Sequence, residues 1–301
     1  MRGTDRARLA AAILSDEYVR PLPRAASASA CASGPLVTVV IATYNRSEVL
    51  RYALASALRQ SYERLEILVI GDACTDASEQ VVAQAGDPRV RWINLPRNSG
   101  SQTGPNQAGL EEARGELIAY LGHDDLWRRD HVALLVADLQ RRRADASSTV
   151  TSFVYPRPVP RRAFGSPAPG EFVPPSSLMH TAPAGRRAGG WIDHRKTIRP
   201  PDDDFIWRLR QSGARFSRVR ALTVVKFASS QRAGSYRSGR ADEQAAFSPR
   251  LDRRSFVARE VATWIALQPF RGLVSLPRVD PAAARRPGGT VAEYRRIRGL
   301  E

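Results

Sequence analysis

The chain has 301 residues, 43% of them hydrophobic, with 46 Lys plus Arg against 30 Asp plus Glu and a formal net charge of +16. That size and apolar content suit one large globular domain or two ordinary ones and exclude a disordered or fibrous chain. No apolar run reaches the roughly 18–20 residues of a bilayer span, and residues 1–20 mix charges into their apolar patch, unlike a secretory signal.

The first 34 residues read as a flexible lead-in ending in the Ala/Ser-rich "AASASACASGP". Order is expected from "LVTVVIATY" (36–44), a continuous β-rich run suited to a strand buried on both faces. Ser47 then stands where it could cap a helix carrying Leu50, Leu54, Ala57 and Leu58 on one face. "LEILVIG" (65–71) repeats the pattern and is followed by the acidic turn "DACTDAS" and a helix with Val81 and Val82. "VRWINL" (90–95) predicts a third strand. A Gly-rich loop leads into a short helix near Ala108 to Ala113, and "ELIAYLG" (116–122) predicts a fourth strand.

This alternation predicts an α/β fold, Rossmann-like, with a mixed, mainly parallel sheet flanked by helices. Ligands of such sheets bind beyond the carboxyl ends of the strands. The polar residues there are Thr43 and Asn45, Asp72, Arg97 and Asn98, and Asp124 and Asp125. Adjacent carboxylates at a buried strand end cost free energy unless a protein base or a bound metal sits on them, and the convergent strand ends suit a phosphate-bearing ligand with or without a divalent metal. The sequence contains no Walker A loop, no G-x-G-x-x-G after the first strand, no H-E-x-x-H and no G-x-S-x-G.

Beyond residue 140, the Pro/Arg/Gly-rich segment 156–175 is expected to form a long loop crossing the site. "DDDFIWRLRQSG" reads as a helix ending near Gly213, "ALTVVKF" as a strand, and residues 241–268 as a helix before an Arg/Pro/Gly tail. The two cysteines, Cys31 and Cys74, match no zinc or redox spacing, so a reducing cytoplasm is the expected compartment.

Taken together, "VTVVIATYNRSEVLRYALASALRQSYERLEILVIGDACTD", "NSGSQTGPNQAGLEEARGELIAYLGHDDLW" and "DDDFIWRLRQSGARF" resemble the family-2 inverting glycosyltransferases of the GT-A fold. The likeness is specific over residues 35–140 and looser to about residue 227. It implies a GT-A domain at 35–227, with a donor half (35–140), an acceptor half (141–227) and a helical C-terminal extension and tail (228–301).

The resemblance also implies metal-dependent transfer of a sugar from a nucleotide diphosphate sugar, preferably a UDP-sugar, to an acceptor glycan or lipid-linked sugar. By position, Thr43, Tyr44 and Asn45 would line the nucleotide pocket with Arg97, Asn98 and Asn106, and Asp72 would read the base or ribose. Asp124 matches the last acid of the family's D-x-D and would ligate Mg²⁺ or Mn²⁺, with Asp125 beside it and His123 as a neighbour of the site. Asp202 matches the catalytic base, and Asp204 lies two positions on. The chain departs from the family pattern at Gly122, Pro105 and Pro201, where an acid, an arginine and a glutamate are usual.

Plainer roles compete with these. Asp124 could cap the helix that follows it, and Asp202 to Asp204 could cap and charge-match their own helix. Trp191 could floor an acceptor sugar or fill the core. A non-catalytic relative that binds a nucleotide sugar is the alternative function.

Charge is uneven: residues 1–140 carry a net −2 and residues 141–301 a net +18. With no aromatic-interleaved basic stripe, a nucleic-acid partner is not expected. Arg161, Arg162, Arg186 and Arg187, close in sequence to the acceptor region, suggest instead an anionic acceptor or peripheral contact with an anionic inner membrane face.

Overall fold

The computed structural model describes residues 34–156, 162–165, 173–228, 232–267 and 280–300. The lead-in with Cys31, Arg161 and most of the expected loop after residue 156 lie outside the described residues. The first strand, β1 (Val37–Thr43), is buried along almost its whole length, as its continuous apolar run requires. Helix α1 (Ser47–Leu58) then leads to the equally buried β2 (Leu65–Gly71). Helix α2 (Ser78–Ala85), β3 (Val90–Asn94), α3 (Thr103–Glu112) and β4 (Leu117–Gly122) complete a half in which all four strands are parallel. Gly109 lets α3 lie against β1, because a Cβ there would come within 2.3 Å of a Val40 methyl group.

Past Gly122 the chain makes a two-residue strand β5 (Leu126–Trp127), and only then α4 (His131–Arg142). Asp124 therefore caps no helix; Asp130 holds the position before α4. Next comes β6 (Ala146–Val154), which a search for apolar runs misses because Ser147, Ser148, Thr149, Thr151 and Ser152 are all buried in it. Most of these hydroxyls bond across the fold, among them Ser147 to Asp138 and Ser152 to Glu260, both at 2.7 Å.

The second half continues with β7 (Arg162–Gly165), β8 (Leu178–Thr181), α5 (Ala182–Arg187), α6 (Pro201–Gln211) and β9 (Phe216–Phe227). β7 replaces part of the expected loop and pairs antiparallel with β6. The sheet order is β3-β2-β1-β4-β8-β6-β9-β5, in which β8 and β5 run against their neighbours. One sheet face packs on α1 and α4, the other on α3, α6 and Trp191.

Trp191 is a core residue: it is buried and stacks on Phe205 with ring centroids 4.6 Å apart. Arg186 and Arg187 do not lie at the carboxyl ends of the strands, where the crevice is expected. Helix α5 begins where the Ala182 N–H donates to the Glu116 carbonyl, and Arg187 meets Asp145 at 3.5 Å, which places both at the amino ends of β4 and β6.

The helix expected over 241–268 is two helices, α7 (Asp242–Phe247) and α8 (Phe256–Leu267), separated at Pro249. Proline has no N–H for the helical ladder, and its ring clashes with the preceding turn. Two short helices follow, α9 (Pro281–Ala284) and α10 (Gly289–Arg298). No helix among the described residues is long and apolar enough to cross a membrane.

Candidate active site

The carboxyl ends of β1 and β2 are tied into one rigid rim. Asn45 takes a left-handed backbone with φ 44°, a region that asparagine tolerates better than most residues. Its Oδ1 accepts the N–H groups of Thr75 (2.8 Å) and Asp76 (3.3 Å) from the loop after β2. Asp76, absent from the sequence candidates, accepts the Ser47 N–H at 2.9 Å and so satisfies the start of α1 in place of a Ser47 cap. The second acid of "DACTD" was the available signal.

Asp72 begins the same loop. Its Oδ1 accepts the Ser99 N–H at 2.8 Å, its Oδ2 the Ser99 hydroxyl at 3.0 Å, and its carbonyl the Asn98 amide at 2.9 Å. Burial raises the Asp72 pKa despite these bonds. The carboxylate thus organises the loop after β3, on which Arg97 and Asn98 are exposed. Thr43 and Asn106 are buried, and the Thr43 hydroxyl has no partner.

At the end of β4 the two adjacent acids part company. Asp125 is fully buried; its Oδ1 accepts the Phe227 N–H at 3.1 Å, and its Oδ2 accepts Lys226 Nζ at 2.9 Å and the Ser176 hydroxyl. Burial pushes its pKa up to about 6, against the pull of Lys226. Among the described residues no donor bonds the Asp124 carboxylate; only its backbone carbonyl is engaged, by Gln244 at 3.0 Å. Burial pushes the Asp124 carboxyl up, but the charges of His123 when protonated, Lys226, Arg46 and Arg298 outweigh it and hold the pKa below the ordinary value. The half-buried His123 ring, pushed by desolvation to a pKa of about 4, is neutral at pH 7, and its buried Nδ1 has no partner among the described residues. Gly122 belongs to this packing, since a Cβ there would come within 2.9 Å of Asp125 Oδ2.

This geometry decides which residues suit a divalent metal. No group of three His, Cys, Asp or Glu among the described residues is arranged around a cation site. Asp125 does not fit as a ligand, because both oxygens are already committed. Asp124 fits: it is ionised, unbonded and at the strand end, and Mg²⁺ commonly takes only one or two protein carboxylates beside phosphates and water.

The second acidic run opens α6. Asp203 pairs with Arg199 at 2.9 Å, and Asp204 accepts Arg208 Nε at 2.8 Å, while Arg208 also reaches the Ala188 carbonyl. Asp204 is therefore an ion-pair partner within its helix and not a free base. Asp202 forms no salt bridge among the described residues, accepting only the Asp203 N–H at 3.1 Å. Burial raises its pKa, and Lys226 acts against that shift. Lys226, on β9, thus lies within the field of Asp125, Asp124 and Asp202 together.

A wall that the motifs gave no hint of closes the site. Tyr236 is half-buried, with its ring 6.3 Å from Tyr44 and 6.1 Å from His123, and the Arg46 guanidinium lies 5.1 Å from its centroid. Its N–H donates to the Arg298 carbonyl at 3.1 Å, so α10 packs on it. Arg295, on the same helix, donates to the Gly100 carbonyl at 3.2 Å. The supposed tail therefore returns to the strand ends.

Residues 38–170 match the family model "Glycosyl transferase family 2". The succinoglycan biosynthesis protein ExoO of Rhizobium meliloti is 41% identical over 113 residues, 38% of this chain and 31% of that protein. The teichuronic acid biosynthesis glycosyltransferase TuaG of Bacillus subtilis, a putative assignment by its name, is 34% identical over 98 residues, 32% of this chain and 38% of that protein. The chain thus spans about a third of the length of these relatives.

Two solved structures share the fold. S. aureus TarS in complex with UDP-GlcNAc has a TM-score of 0.57 at 17% identity, covering 77% of this chain and 72% of that one. The mannosyltransferase PcManGT of Pyrobaculum calidifontis, in complex with GDP-Man and Mn²⁺, has a TM-score of 0.53 at 18% identity, covering 92% and 89%. Residues 38–170 thus form a Glycosyl transferase family 2 domain, carried on a mainly parallel α/β sheet of the GT-A type.

Proposed function

We propose that the chain is an inverting glycosyltransferase that moves a sugar from a nucleotide diphosphate sugar to an acceptor hydroxyl. The observation that carries this reading is the pair Asp124 and Asp202. Each is the one carboxylate of its acidic run without a salt bridge among the described residues, and both lie within the field of Lys226. Asp202 takes the proton of the acceptor hydroxyl, whose oxygen attacks the anomeric carbon from the face opposite the diphosphate. The bond from that carbon to the phosphate oxygen breaks, and its electron pair leaves with the nucleoside diphosphate.

Asp124 is the protein carboxylate for a divalent Mg²⁺ or Mn²⁺, and a metal bound there would stabilise negative charge growing on the departing diphosphate. A mannosyltransferase of the same fold, solved with Mn²⁺, supports this, as TarS with UDP-GlcNAc supports a UDP-sugar donor. The rim of Thr43, Tyr44, Asn45 and Asp72 holds the nucleoside side. Relatives named for succinoglycan and teichuronic acid biosynthesis support a polysaccharide or glycoconjugate acceptor.

On the acceptor side, Ile198 and Trp207 are the exposed large apolar side chains among the described residues, and Arg199 lies over the Trp207 ring at 5.1 Å. This mixed apolar and cationic surface, rather than Arg186 and Arg187, suits a lipid-linked acceptor at an anionic cytoplasmic membrane face. Calorimetric titration of UDP with and without Mn²⁺ tests the donor reading. Metal-enhanced binding is expected in the wild type and lost in Asp124→Asn; equal enhancement in both would remove Asp124 from the metal.

A further inference from the structure

Four polar atoms around the Asp124 turn are buried without a hydrogen-bond partner among the described residues: Arg46 Nη1, His123 Nδ1, Arg232 Nη1 and Arg298 Nε. Three belong to guanidinium groups from three separate segments, the β1–α1 loop, the stretch before Tyr236 and helix α10. Arg46 is only 8% exposed. Cationic donors are rarely held in the interior unbonded, because removing them from water costs free energy that only an acceptor restores.

The protein supplies little acceptor here. Arg46, Arg298 and Lys226 all act on Asp124, and Arg232, though anchored to Glu243 at 2.9 Å, also feels Asp124 and Asp125. Lys226 is matched by Asp125. With Arg232 matched by Glu243, Asp124 faces the guanidinium groups of Arg46 and Arg298, an excess of positive charge that fits an anionic ligand. Arginine's planar fork matches phosphate oxygens better than lysine's point charge does.

The same contacts fix α10 over the turn. The Gly234 N–H donates to the Ile297 carbonyl at 2.9 Å, the Gly288 N–H to the Thr197 carbonyl at 3.0 Å, and Arg295 bonds Gly100. One helix therefore touches both the donor-side loop at Gly100 and the acceptor-side loop at Thr197. Beneath this packing Asp124 is 7% exposed.

We propose that Arg46, Arg232 and Arg298 form a three-segment clamp for the diphosphate of the donor, which makes the C-terminal helix α10 part of the donor site and a cover held down by the ligand beneath it. The inference rests on the donor reading above, and its test separates the two. Hydrogen exchange of the full chain is followed at residues 289–300 alone, with uridine, with inorganic pyrophosphate and with UDP, alongside calorimetry of Arg298→Gln and Arg46→Gln.

Pyrophosphate and UDP should each slow exchange in α10, whereas uridine should not. Each variant should bind pyrophosphate at least ten-fold more weakly while its unliganded melting temperature stays near wild type. If a variant fails to fold, the exchange measurement on the wild type still decides. Protection by pyrophosphate without nucleotide binding would keep the clamp and remove the nucleotide donor. Nucleotide binding with unchanged α10 exchange would remove the clamp and keep the donor, and no binding of pyrophosphate or UDP would overturn the clamp.

Discussion

The two acidic runs, "GHDDLW" and "PDDDFIW", are alike in sequence and differ in how the fold treats each carboxylate. In the first, Asp125 is sealed by Lys226, Ser176 and the Phe227 N–H, while Asp124 beside it is left ionised and unbonded. In the second, Asp203 and Asp204 take Arg199 and Arg208 one helical turn away, and Asp202 is left without a salt bridge among the described residues. On the reading proposed above, each run places one functional acid among acids that serve structure. At the strand end the structural partner is distant in sequence; at the helix start it is four residues away, Arg208 one turn on within α6 for Asp204 and Arg199 just before the helix for Asp203.

The largest effect expected from this division is catalytic. Asp202→Asn should lower kcat by about 10²- to 10⁴-fold, the usual contribution of a positioned general base. Asp204→Asn should leave kcat within a few-fold and act on stability instead. In the wild type, kcat/KM should fall as pH drops through the Asp202 pKa, which burial raises above the ordinary 3.8, because the protonated acid cannot accept the acceptor's proton. Steady-state rates across pH for the three proteins check this, and equal losses in Asp202→Asn and Asp204→Asn would erase the distinction.

Lys226 tests the sealed acid of the first run. Lys226→Met should destabilise the fold by up to about 3–5 kcal/mol, since it leaves Asp125 buried without its partner and drives it to take up a proton. Adding Asp125→Asn should recover part of that loss, giving a coupling measurable by urea denaturation in a double-mutant cycle. Additive losses would mean that the pair contributes nothing as a pair.

How much of this was legible depended on how far each constraint travels along the chain. Strands β1, β2 and β4 show as apolar runs because both of their faces are buried, and the crevice at their ends followed from that order. β6 was hidden because its buried positions are hydroxyls satisfied by Asp138 and Glu260, partners that no local pattern reveals. Motif position singled out Asp124 and Asp202, the two acids that the fold leaves without a salt bridge among the described residues. That Asp125 and Asp204 are locked could not be read, since one depends on Lys226 about a hundred residues away and the other on a choice among several nearby arginines. The return of α10 to the site had no sequence signature at all.

Acid should loosen the buried framework around the first run. Burial pushes His123 and His180 to about 4 and His131 to about 3, all below the ordinary 6.5. A depressed histidine pKa means that the unfolded chain binds the extra proton, so this stability is present above pH 6.5 and lost as pH falls below it. Each histidine contributes a slope of about 1.4 kcal/mol per pH unit within its window. Asp125, raised to about 6, acts in the opposite sense below that pH and offsets one of the three. Denaturation midpoints should therefore fall from pH 7 to pH 5, and His131→Asn, which removes the most depressed of the three, should flatten the slope below pH 6 by about half.

The smallest expected difference lies within the second run itself. Asp204 and Arg208 are nearly buried, with side chains 11% and 14% exposed, whereas Asp203 and Arg199 are 41% and 49% exposed. Solvent screens the exposed pair, which should contribute only about 0.3–0.5 kcal/mol, the usual value for such pairs on helices. The buried pair is charge-assisted and joins α6 to the Ala188 carbonyl through Arg208, so Asp204→Asn should cost about 1.5–3 kcal/mol. Asp203→Asn should lie within about 0.5 kcal/mol of wild type, and 0.5 M salt should remove even that difference while leaving the Asp204 effect in place. Urea midpoints for both variants at low and high salt would measure it. Equal, salt-sensitive losses would mean that α6 treats all of its first-turn acids as surface charge, and that Asp202 owes its separate standing to Lys226 alone.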